Sequence, residues 1–259
     1  MKIATWNVNS IRAREELVLD WLRRTKMDVL CMQETKVIDD DFPTEGFQRL
    51  GYEIAISGQK SYNGVAIASR LPLRELTVGL DGEGPGADKR AIAATVDGVR
   101  VMSVYVPNGK AVDSPAFPEK LAWFERLRGT LEKRSGPRAE LAVCGDFNVA
   151  REARDVYAPE KLAGKLHFHP DEHRAFDELL SVGLVDGFRL HHDAAGLYSW
   201  WDYRGASVQR NQGMRIDYVL LTASLAARCR AASIDADERL KERPSDHVPV
   251  VVELSERAE

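Results

Sequence analysis

The sequence has 259 residues, of which 44% are hydrophobic and 29% are charged, and its formal net charge is -4. This composition can bury a sizeable core, which excludes a disordered chain, and no apolar run approaches the roughly 20 residues of a membrane-spanning helix. The mild acidity excludes a tail-driven nucleic-acid binder, although a protein with its basic residues on one face stays possible. The first residues lack a signal-peptide pattern, so we expect a cytoplasmic protein with no membrane partner.

Nine strand-length apolar runs rich in β-branched residues predict β-strands. In chain order they are 2–8, 28–33, 52–57, 64–69, 91–96, 99–106, 140–145, 216–222 and 247–254. Asp97-Gly98 lies between two of them, and Asp-Gly is a favoured two-residue hairpin turn. We therefore expect 91–96 and 99–106 to pair antiparallel.

Three amphipathic segments between the strands predict helices. The first covers 11–24 and follows Ser10, a residue type that often caps helix N-termini, and the other two open at Pro118 and Pro170. Strands and helices do not alternate strictly, which argues against a Rossmann or barrel fold. We expect a single α+β domain over 1–259, built as a four-layer α/β sandwich of two packed, largely antiparallel sheets flanked by helices.

Polar residues of similar chemistry stand at the ends of five predicted strands. They are Asn7, Glu34, Asp146, Asn148, Asp217, Asp246 and His247. A carboxylate at the mouth of a buried strand is costly to desolvate unless a cation or hydrogen bonds compensate it. Oxygen donors with one imidazole and no cysteine suit Mg²⁺ or Mn²⁺ better than Zn²⁺.

Each of these residues, taken alone, also fits an ordinary turn or surface role, and that interpretation is preferred for most of them. For the segment 146–148, which follows a continuous apolar run, turn chemistry and function are evenly balanced. The pair Asp246-His247 favours function because Pro244 and Pro249 would fix the direction of both side chains.

Seven motifs in chain order closely resemble those of the exonuclease III group of apurinic/apyrimidinic (AP) endonucleases. They are WNVNSIRAR (6–14), QETK (33–36), YVPNG (105–109), GDFN (145–148), SWWDYR (199–204), RIDYVL (215–220) and PSDHVPV (244–250). That group belongs to the endonuclease/exonuclease/phosphatase superfamily, which has the DNase I-like fold. The resemblance extends to about residue 253. The motifs SWWDYR and RIDYVL point to the DNA-repair branch.

The resemblance implies a metal site and assigns catalytic roles. Glu34 would be the principal ligand of a Mg²⁺ ion, for which Mn²⁺ would substitute. The implied ligand candidates are Asn7, Glu34, Asp146, Asn148, Asp246 and His247. Asp146 would position and deprotonate the attacking water, and Asn148 would hydrogen-bond the pentacovalent phosphate. His247 would contact the phosphate and be oriented by Asp217, and Tyr105 would act as an acid or a donor.

DNA contacts are implied in the same way. Apolar side chains in the segments matching SWWDYR and QGMRID would form a pocket for an abasic sugar, and basic or amide side chains in loops would hold the DNA backbone. The candidates are Arg90, Asn108, Lys110, Trp200, Met214 and Ile216. We also expect one of Trp200 and Trp201 to be a core residue.

The resemblance thus implies a Mg²⁺-dependent DNA-repair phosphodiesterase that cleaves 5′ to abasic sites, with 3′→5′ exonuclease and 3′-phosphatase or 3′-phosphodiesterase activity. Its partner would be duplex DNA with abasic sites or blocked 3′ ends, and we expect a monomer. Two alternatives are a non-catalytic nucleic-acid-binding regulator and a phosphodiesterase that acts on a small molecule or a lipid.

Departures from the family pattern are few. Asn9 stands where some relatives carry aspartate, and Asn108 where some bacterial members carry glutamine. The histidines in 167–169 and 191–192 resemble zinc spacing, but with no cysteine and no third segment we interpret them as surface or loop residues.

Overall fold

The computed structural model describes residues 1–136 and 138–257, and fourteen strands lie in that part of the chain. They are β1 (Lys2–Asn7), β2 (Val29–Gln33), β3 (Glu53–Ser57), β4 (Val65–Ser69), β5 (Arg74–Val78), β6 (Ala91–Val96), β7 (Val99–Tyr105), β8 (Leu141–Asp146), β9 (Leu184–Asp186), β10 (Trp200–Trp201), β11 (Gly213–Met214), β12 (Asp217–Thr222), β13 (Cys229–Ile234) and β14 (Val250–Leu254). One sheet has the order β13-β14-β1-β2-β4-β3 and the other β5-β6-β7-β8-β12-β9, while β10 and β11 form a separate ribbon. Most neighbours are antiparallel, and the pairs β1–β2 and β7–β8 are parallel.

The longest helices cover the outer faces of the two sheets, and the short last helix packs at the core between them. They are α1 (Ile11–Thr25), α2 (Thr44–Arg49), α3 (Ala116–Glu132), α4 (Pro159–Leu162), α5 (Pro170–Leu180) and α6 (Ala223–Ala226). Helix α1 is amphipathic and buries Ile11, Val18, Trp21 and Leu22. Among the described residues, every helix is too short or too polar to cross a membrane.

Three apolar layers hold the molecule together. The central layer fills the space between the sheets with β-branched side chains from both, such as Ile67 and Val219. Outside the first sheet, Trp21 of α1 packs edge-on against Trp6. Outside the second sheet, the long helices α3 and α5 pack an aromatic cluster on β8 and β12. The resulting order of helix, sheet, sheet and helix confirms the predicted α+β sandwich.

All nine predicted strands are present, and so is the predicted hairpin. Val96 pairs with Val99, and the turn residues Asp97 and Gly98 have φ values of 47° and 75°, as a primed two-residue turn requires. Five strands were not predicted from the sequence: β5, β9, β10, β11 and β13. Strand β5 is exposed throughout, β13 is partly exposed, and the other three have only two or three residues, so none leaves a strong hydrophobic pattern.

One predicted helix cap and two predicted boundaries differ from the structure, the boundaries by two or more residues. Helix α1 begins directly after Ser10, as predicted, but Ser10 has φ 84° and makes no side-chain capping hydrogen bond, and its backbone N–H donates to the carbonyl oxygen of Glu34 at 2.7 Å. Helix α3 begins at Ala116, two residues before Pro118. The last strand begins at Val250 rather than at 247, directly after Pro249, which has no N–H to donate to a sheet.

Strand register brings the polar strand ends to one edge of the sandwich. Asn7 is opposite Gln33 in the parallel β1–β2 pair, and Asp217 is opposite Asp146 in the antiparallel β8–β12 pair. The two sheets meet at this edge, since Asn7 Nδ2 donates to Asp146 Oδ2 at 2.9 Å. Residues far apart in the sequence therefore share one polar site.

Candidate active site

Two carboxylates and an imidazole converge at this edge. Glu34, Asp146 and His247 each offer one ligand atom, and these atoms all lie within 4.8 Å of one another. Asn7 links the two acids, because its Nδ2 donates to Glu34 Oε1 at 2.8 Å as well as to Asp146. Asn7 Oδ1 accepts from the backbone N–H of Asn9 at 3.0 Å, so in this arrangement the amide acts on the carboxylates as a donor.

Backbone strain helps to aim two of the site residues. Glu34 and Asn148 have φ values of 51° and 53°, in the left-handed region that residues other than glycine seldom adopt. Such a conformation costs about 1–3 kcal/mol and persists only where the surroundings impose it. At Glu34 the N-terminus of α1 imposes it, through the hydrogen bond that Ser10 donates to the Glu34 carbonyl.

A buried chain of hydrogen bonds orients the imidazole. His247 Nδ1 lies 2.8 Å from Asp217 Oδ2, and the same oxygen accepts from Ser199 Oγ at 2.6 Å. On its other side, His247 Nε2 lies 3.7 Å from Asp146 Oδ2. Burial disfavours the imidazolium, but the carboxylates of Asp217 and Asp146 outweigh it and raise the pKa of His247 to about 10. The ring is therefore cationic at neutral pH.

Asp146 is completely enclosed, and this changes its acidity. Burial raises its pKa to about 7, with the imidazolium of His247 opposing the rise and the carboxylate of Asp217 adding to it. Asp146 Oδ1 accepts from the backbone N–H of Asn148 at 2.8 Å, which fixes the direction of the carboxylate. The residue thus has the basicity that a group accepting a proton near neutral pH needs.

Asp246 lies beside the close group of three, which is Glu34, Asp146 and His247, without belonging to it. Asp246 Oδ1 accepts from Asn9 Nδ2 at 2.9 Å, and Oδ2 accepts from Trp200 Nε1 at 3.0 Å. The ammonium of Lys36 connects Glu34 to Asn9, the hydrogen-bond partner of Asp246. It lies 2.8 Å from Glu34 Oε2 and 2.6 Å from Asn9 Oδ1. An aspartate at position 9 could not donate to Asp246, so the departure at Asn9 changes the local hydrogen bonding.

Tyr105 and Arg90 form one wall of the site. The Arg90 guanidinium lies over the Tyr105 ring, 4.9 Å from its centroid. Burial, together with the carboxylates of Glu34 and Asp146, raises the pKa of Tyr105 well above its ordinary value. Its hydroxyl therefore keeps its proton at neutral pH.

The loop after β7 supplies amide and basic groups. Asn108 Nδ2 donates to Asn148 Oδ1 at 3.1 Å, which couples this loop to the loop after β8. The Lys110 backbone N–H donates to Asn108 Oδ1 at 3.1 Å, and Lys110 itself is exposed. Asn108 thus touches the site, whereas Lys110 lies outside it on the surface.

The three apolar candidates lie together. Trp200 pairs with Met214 across the β10–β11 ribbon, and both pack in one cluster with Ile216. Met214 and Ile216 are 8% and 3% exposed, while Trp200 is half-buried. Trp201 is buried in a separate cluster, so one tryptophan of the pair is a core residue, as predicted.

The comparisons with known proteins agree with this geometry. A model of the Endonuclease/Exonuclease/phosphatase family matches residues 4–247. The chain belongs to this family. Exodeoxyribonuclease III of Haemophilus influenzae is 32% identical, over 98% of this chain and 100% of its own length.

Solved structures of similar proteins indicate the branch of the family. An AP endonuclease from Archaeoglobus fulgidus is 44% identical with a TM-score of 0.95, and the match covers 98% of this chain and 99% of that one. A 3′ phosphatase from Neisseria, bound to a product DNA hairpin, is 42% identical with the same TM-score and coverage. The resemblance to exonuclease III family AP endonucleases is thus confirmed, and the protein is a hydrolytic nuclease of this DNA-repair branch.

The donor set of this nuclease fits a divalent cation. Glu34 and Asp146 supply carboxylate oxygens, and the pKa of Glu34 is lowered because Lys36 and the Asn7 amide outweigh the effect of burial. Oxygen-rich sites of this kind suit hard cations such as Mg²⁺. The ligand oxygens of Glu34 and Asp146 lie within 4.8 Å of each other, and a bound cation would offset their repulsion together with the nearby Lys36 and His247.

Four side chains that support the site in this family member were not identified from the sequence. They are Lys120, His167, Glu172 and Ser199. His167 lies in a turn, in agreement with its interpretation as a surface or loop residue, but it is half-buried and its Nδ1 lies 2.6 Å from the Asn148 carbonyl oxygen, a contact that the sequence did not predict. Only Ser199 left a signal, since it opens the SWWDYR motif. A lysine and a glutamate within amphipathic helices are typical of solvent-facing positions.

Proposed function

We propose that this protein is a Mg²⁺-dependent DNA-repair phosphodiesterase that cleaves duplex DNA 5′ to abasic sites. The same site also works at 3′ ends, as a 3′→5′ exonuclease and a 3′-phosphatase or 3′-phosphodiesterase. The observation that carries the proposal is the convergence of Glu34, Asp146 and His247, with Asp217 behind the imidazole. A phosphodiester gains negative charge in its transition state, and this arrangement offers it preorganised positive charge and donors.

Each residue of the site has its own role in the proposed reaction. Asp146 holds the attacking water and accepts its proton as the water oxygen bonds to phosphorus, while the bond from phosphorus to the 3′ oxygen breaks and that oxygen leaves as a hydroxyl after taking a proton from solvent. The imidazolium of His247 donates from Nε2 to a phosphate oxygen, and the amide of Asn148 and the hydroxyl of Tyr105 donate to others. Lewis-acid stabilisation of the developing charge is what Mg²⁺ supplies when it is bound by Glu34 and the neighbouring oxygen donors, and Mn²⁺ is expected to substitute.

Ligation by Asn7, Asn148 and Asp246 belongs to this proposal as well, whereas His247, which the sequence also suggested as a ligand, would first have to lose its Nε2 proton to bind a cation. The Asp246 carboxylate is held by Asn9 and Trp200, and it lies next to the close group of three. Asp246 is therefore suited to hold the cation, directly or through a water molecule.

DNA binding rests on two sets of residues. Arg90, Asn108 and Lys110 contact phosphates, which positions the strand. Trp200, Met214 and Ile216 receive the abasic sugar, whose eversion costs less because its pairing and stacking are already lost. Met214 and Ile216 are almost fully buried, so each offers only a small accessible surface to an everted sugar, whereas a terminal 3′-phosphate needs no such pocket.

The remaining parts of the proposal concern the context of the enzyme. We propose that it acts on duplex DNA with abasic sites or blocked 3′ ends, as a monomer of one domain spanning 1–259, and in the cytoplasm. The Neisseria relative bound to product DNA supports a DNA substrate.

Two labelled duplexes test the proposal. One carries a single abasic analogue and the other a 3′-phosphate at a nick, and each is incubated with and without Mg²⁺. Wild-type protein is expected to incise the first and to release phosphate from the second only with Mg²⁺, and Glu34→Gln should do neither. Glu45→Gln, a change at an exposed helix residue, is the matched control and should act like wild type.

Each outcome has a distinct meaning. Binding without either reaction would favour a non-catalytic DNA-binding protein, and absence of both binding and reaction would favour a small-molecule phosphodiesterase. Phosphate release without incision would remove the abasic-site activity from the proposal and leave the 3′-end activity.

A further inference from the structure

Beneath the active-site loops lies a lysine that makes no contact with solvent. Lys120 of α3 is 0% exposed, although lysine is almost never fully buried without a partner. Its ammonium donates to the backbone carbonyl of Asn148 at 2.7 Å and to that of Asn108 at 3.2 Å. The third contact is a short ion pair with Glu172 of α5. One charged group thus joins two helices to two site loops.

The loop after β7 is shaped around this side chain. Gly109 has φ +89°, and a Cβ there would lie 3.1 Å from Lys120 Cδ and 3.0 Å from Leu166 Cδ1. The backbone therefore approaches the lysine stem more closely than most side chains at position 109 would allow. This close approach leaves the Asn108 carbonyl within reach of the ammonium.

The carbonyl of Asn148 is held from two directions. It accepts from Lys120 Nζ and faces His167 Nδ1 at 2.6 Å, while the side chain of Asn148 bonds to Asn108 and to the Val106 carbonyl at 3.0 Å. Burial and the nearby Lys120 lower the pKa of His167 to about 3, so the ring is neutral and Nδ1–H can donate. These bonds oppose relaxation of the left-handed backbone at Asn148.

Burial of this ion pair costs desolvation free energy, which apolar side chains packed at the same place would not cost. Glu172 is 0% exposed, and its second oxygen accepts from the His169 N–H at 3.1 Å at the start of α5. Burying two charges is often no better for stability than burying apolar groups of the same size. A role in placing the site loops would account for charges at this position.

We propose that Lys120, paired with Glu172, is a positioning residue that sets the orientation of Asn148 for the phosphate. This inference rests on the proposed function, in which Asn148 donates to the phosphate. It predicts that loss of the pair acts on the reaction through Asn148 and lowers kcat by about 10- to 100-fold, as loss of supporting contacts to catalytic groups commonly does.

The test is a double-mutant cycle. The charge-free pair Lys120→Met with Glu172→Gln avoids an unpaired buried charge, so the protein is expected to fold, which near-ultraviolet circular dichroism and thermal unfolding check. Its kcat and KM for release of a 3′-phosphate are measured in the wild-type background and with Asn148→Ala. Asn148→Ala alone should cost about 100- to 1,000-fold in rate.

The expected result is strong non-additivity: about 10- to 100-fold loss of kcat in the wild-type background and less than about 3-fold further loss with Asn148→Ala. A matched control removes a partly buried ion pair at the opposite end of β8, with Arg228→Met and Glu140→Gln, and should leave kcat unchanged. Equal losses in both backgrounds, or no loss in a folded variant, would overturn the inference. Inactive wild-type protein would instead overturn the proposed function.

Discussion

Asp146 and Asp217 are directly paired residues on neighbouring antiparallel strands, and both carboxylates face the same imidazole. Asp217 lies 2.8 Å from Nδ1 of His247, and Asp146 lies 3.7 Å from Nε2. Asp217 therefore orients the imidazole ring, while Asp146 faces the ring nitrogen that points into the active site. The two carboxylates explain why His247 is cationic at neutral pH, whereas the raised pKa of Asp146 comes mainly from its burial, to which the carboxylate of Asp217 adds.

Replacing Asp217 by asparagine is expected to lower kcat/KM by about 10- to 100-fold, because the imidazole loses the partner that fixes its orientation and charge. The pKa of His247, followed by NMR in the metal-free protein, should fall from about 10. Ser199→Ala removes only a donor to the same carboxylate and should cost less. An unchanged rate with a normal fold would show that Asp217 does not act through His247.

The free energy of unfolding of the metal-free protein is expected to fall as the pH rises from about 7 to about 10. Burial disfavours charged His247, but Asp217 and Asp146 raise its folded pKa from 6.5 to about 10. A raised pKa gives stabilisation that is complete below the unfolded value and is lost as the proton leaves the folded protein. One proton contributes at most about 1.4 kcal/mol per pH unit.

Urea unfolding in EDTA at several pH values in this window measures that slope. His247→Asn should flatten it, since the titrating group is gone. A wild-type stability that is constant or rises between pH 7 and 10 would contradict the assigned charge of the ring.

The two adjacent tryptophans should respond differently to substitution. Trp201→Ala removes a core residue that is 4% exposed and is expected to lower the free energy of unfolding by about 3–5 kcal/mol. Trp200→Phe keeps an aromatic ring but removes the donor to Asp246, so it should change stability little and lower the rate of incision several-fold. Chemical unfolding and incision rates, measured on both variants, check this. The reverse pattern would move the sugar pocket to Trp201.

Arg90 is expected to account for about one phosphate contact. Arg90→Met keeps much of the bulk over Tyr105 but removes the charge, so the slope of log affinity against log salt should shrink by about 0.9. Fluorescence anisotropy with a labelled duplex at several salt concentrations measures it. Arg49→Met, on the exposed face of α2, is the control and should keep the wild-type slope. An equal slope for Arg90→Met would remove this residue from the DNA-contact set.

The strand ends could be predicted from the sequence because each catalytic candidate follows or opens an apolar run. This pattern predicted that Glu34, Asp146 and Asp217 stand at strand ends, and the family resemblance joined them in one site. It could not show which side chains donate to which others in the site. The amide of Asn7 donates to two carboxylates, a choice that depends on partners 27 and 139 positions away in the chain.

The supporting residues were missed for a related reason. Ser10 is a residue type that often caps helices, yet its φ of 84° lies outside the extended geometry of a capping residue, and its N–H donates to the Glu34 carbonyl, a tertiary contact that the local sequence does not specify. Lys120 and Glu172 are 52 positions apart and lie on helices whose polar residues ordinarily face solvent. Their burial follows from the packing of α3 against α5, which no single segment of sequence specifies.

The central claim is that Glu34 binds the divalent cation on which phosphodiester cleavage depends. The most direct measurement is the single-turnover rate of incision at an abasic analogue as Mg²⁺ is titrated into EDTA-treated protein. Wild type should be inactive without metal, should regain activity with Mg²⁺ or Mn²⁺, and should unfold at a higher temperature when metal is bound, whereas Glu34→Gln should show neither effect. Cleavage by metal-free wild-type protein, or a Glu34→Gln variant with the wild-type Mg²⁺ dependence, would contradict the account.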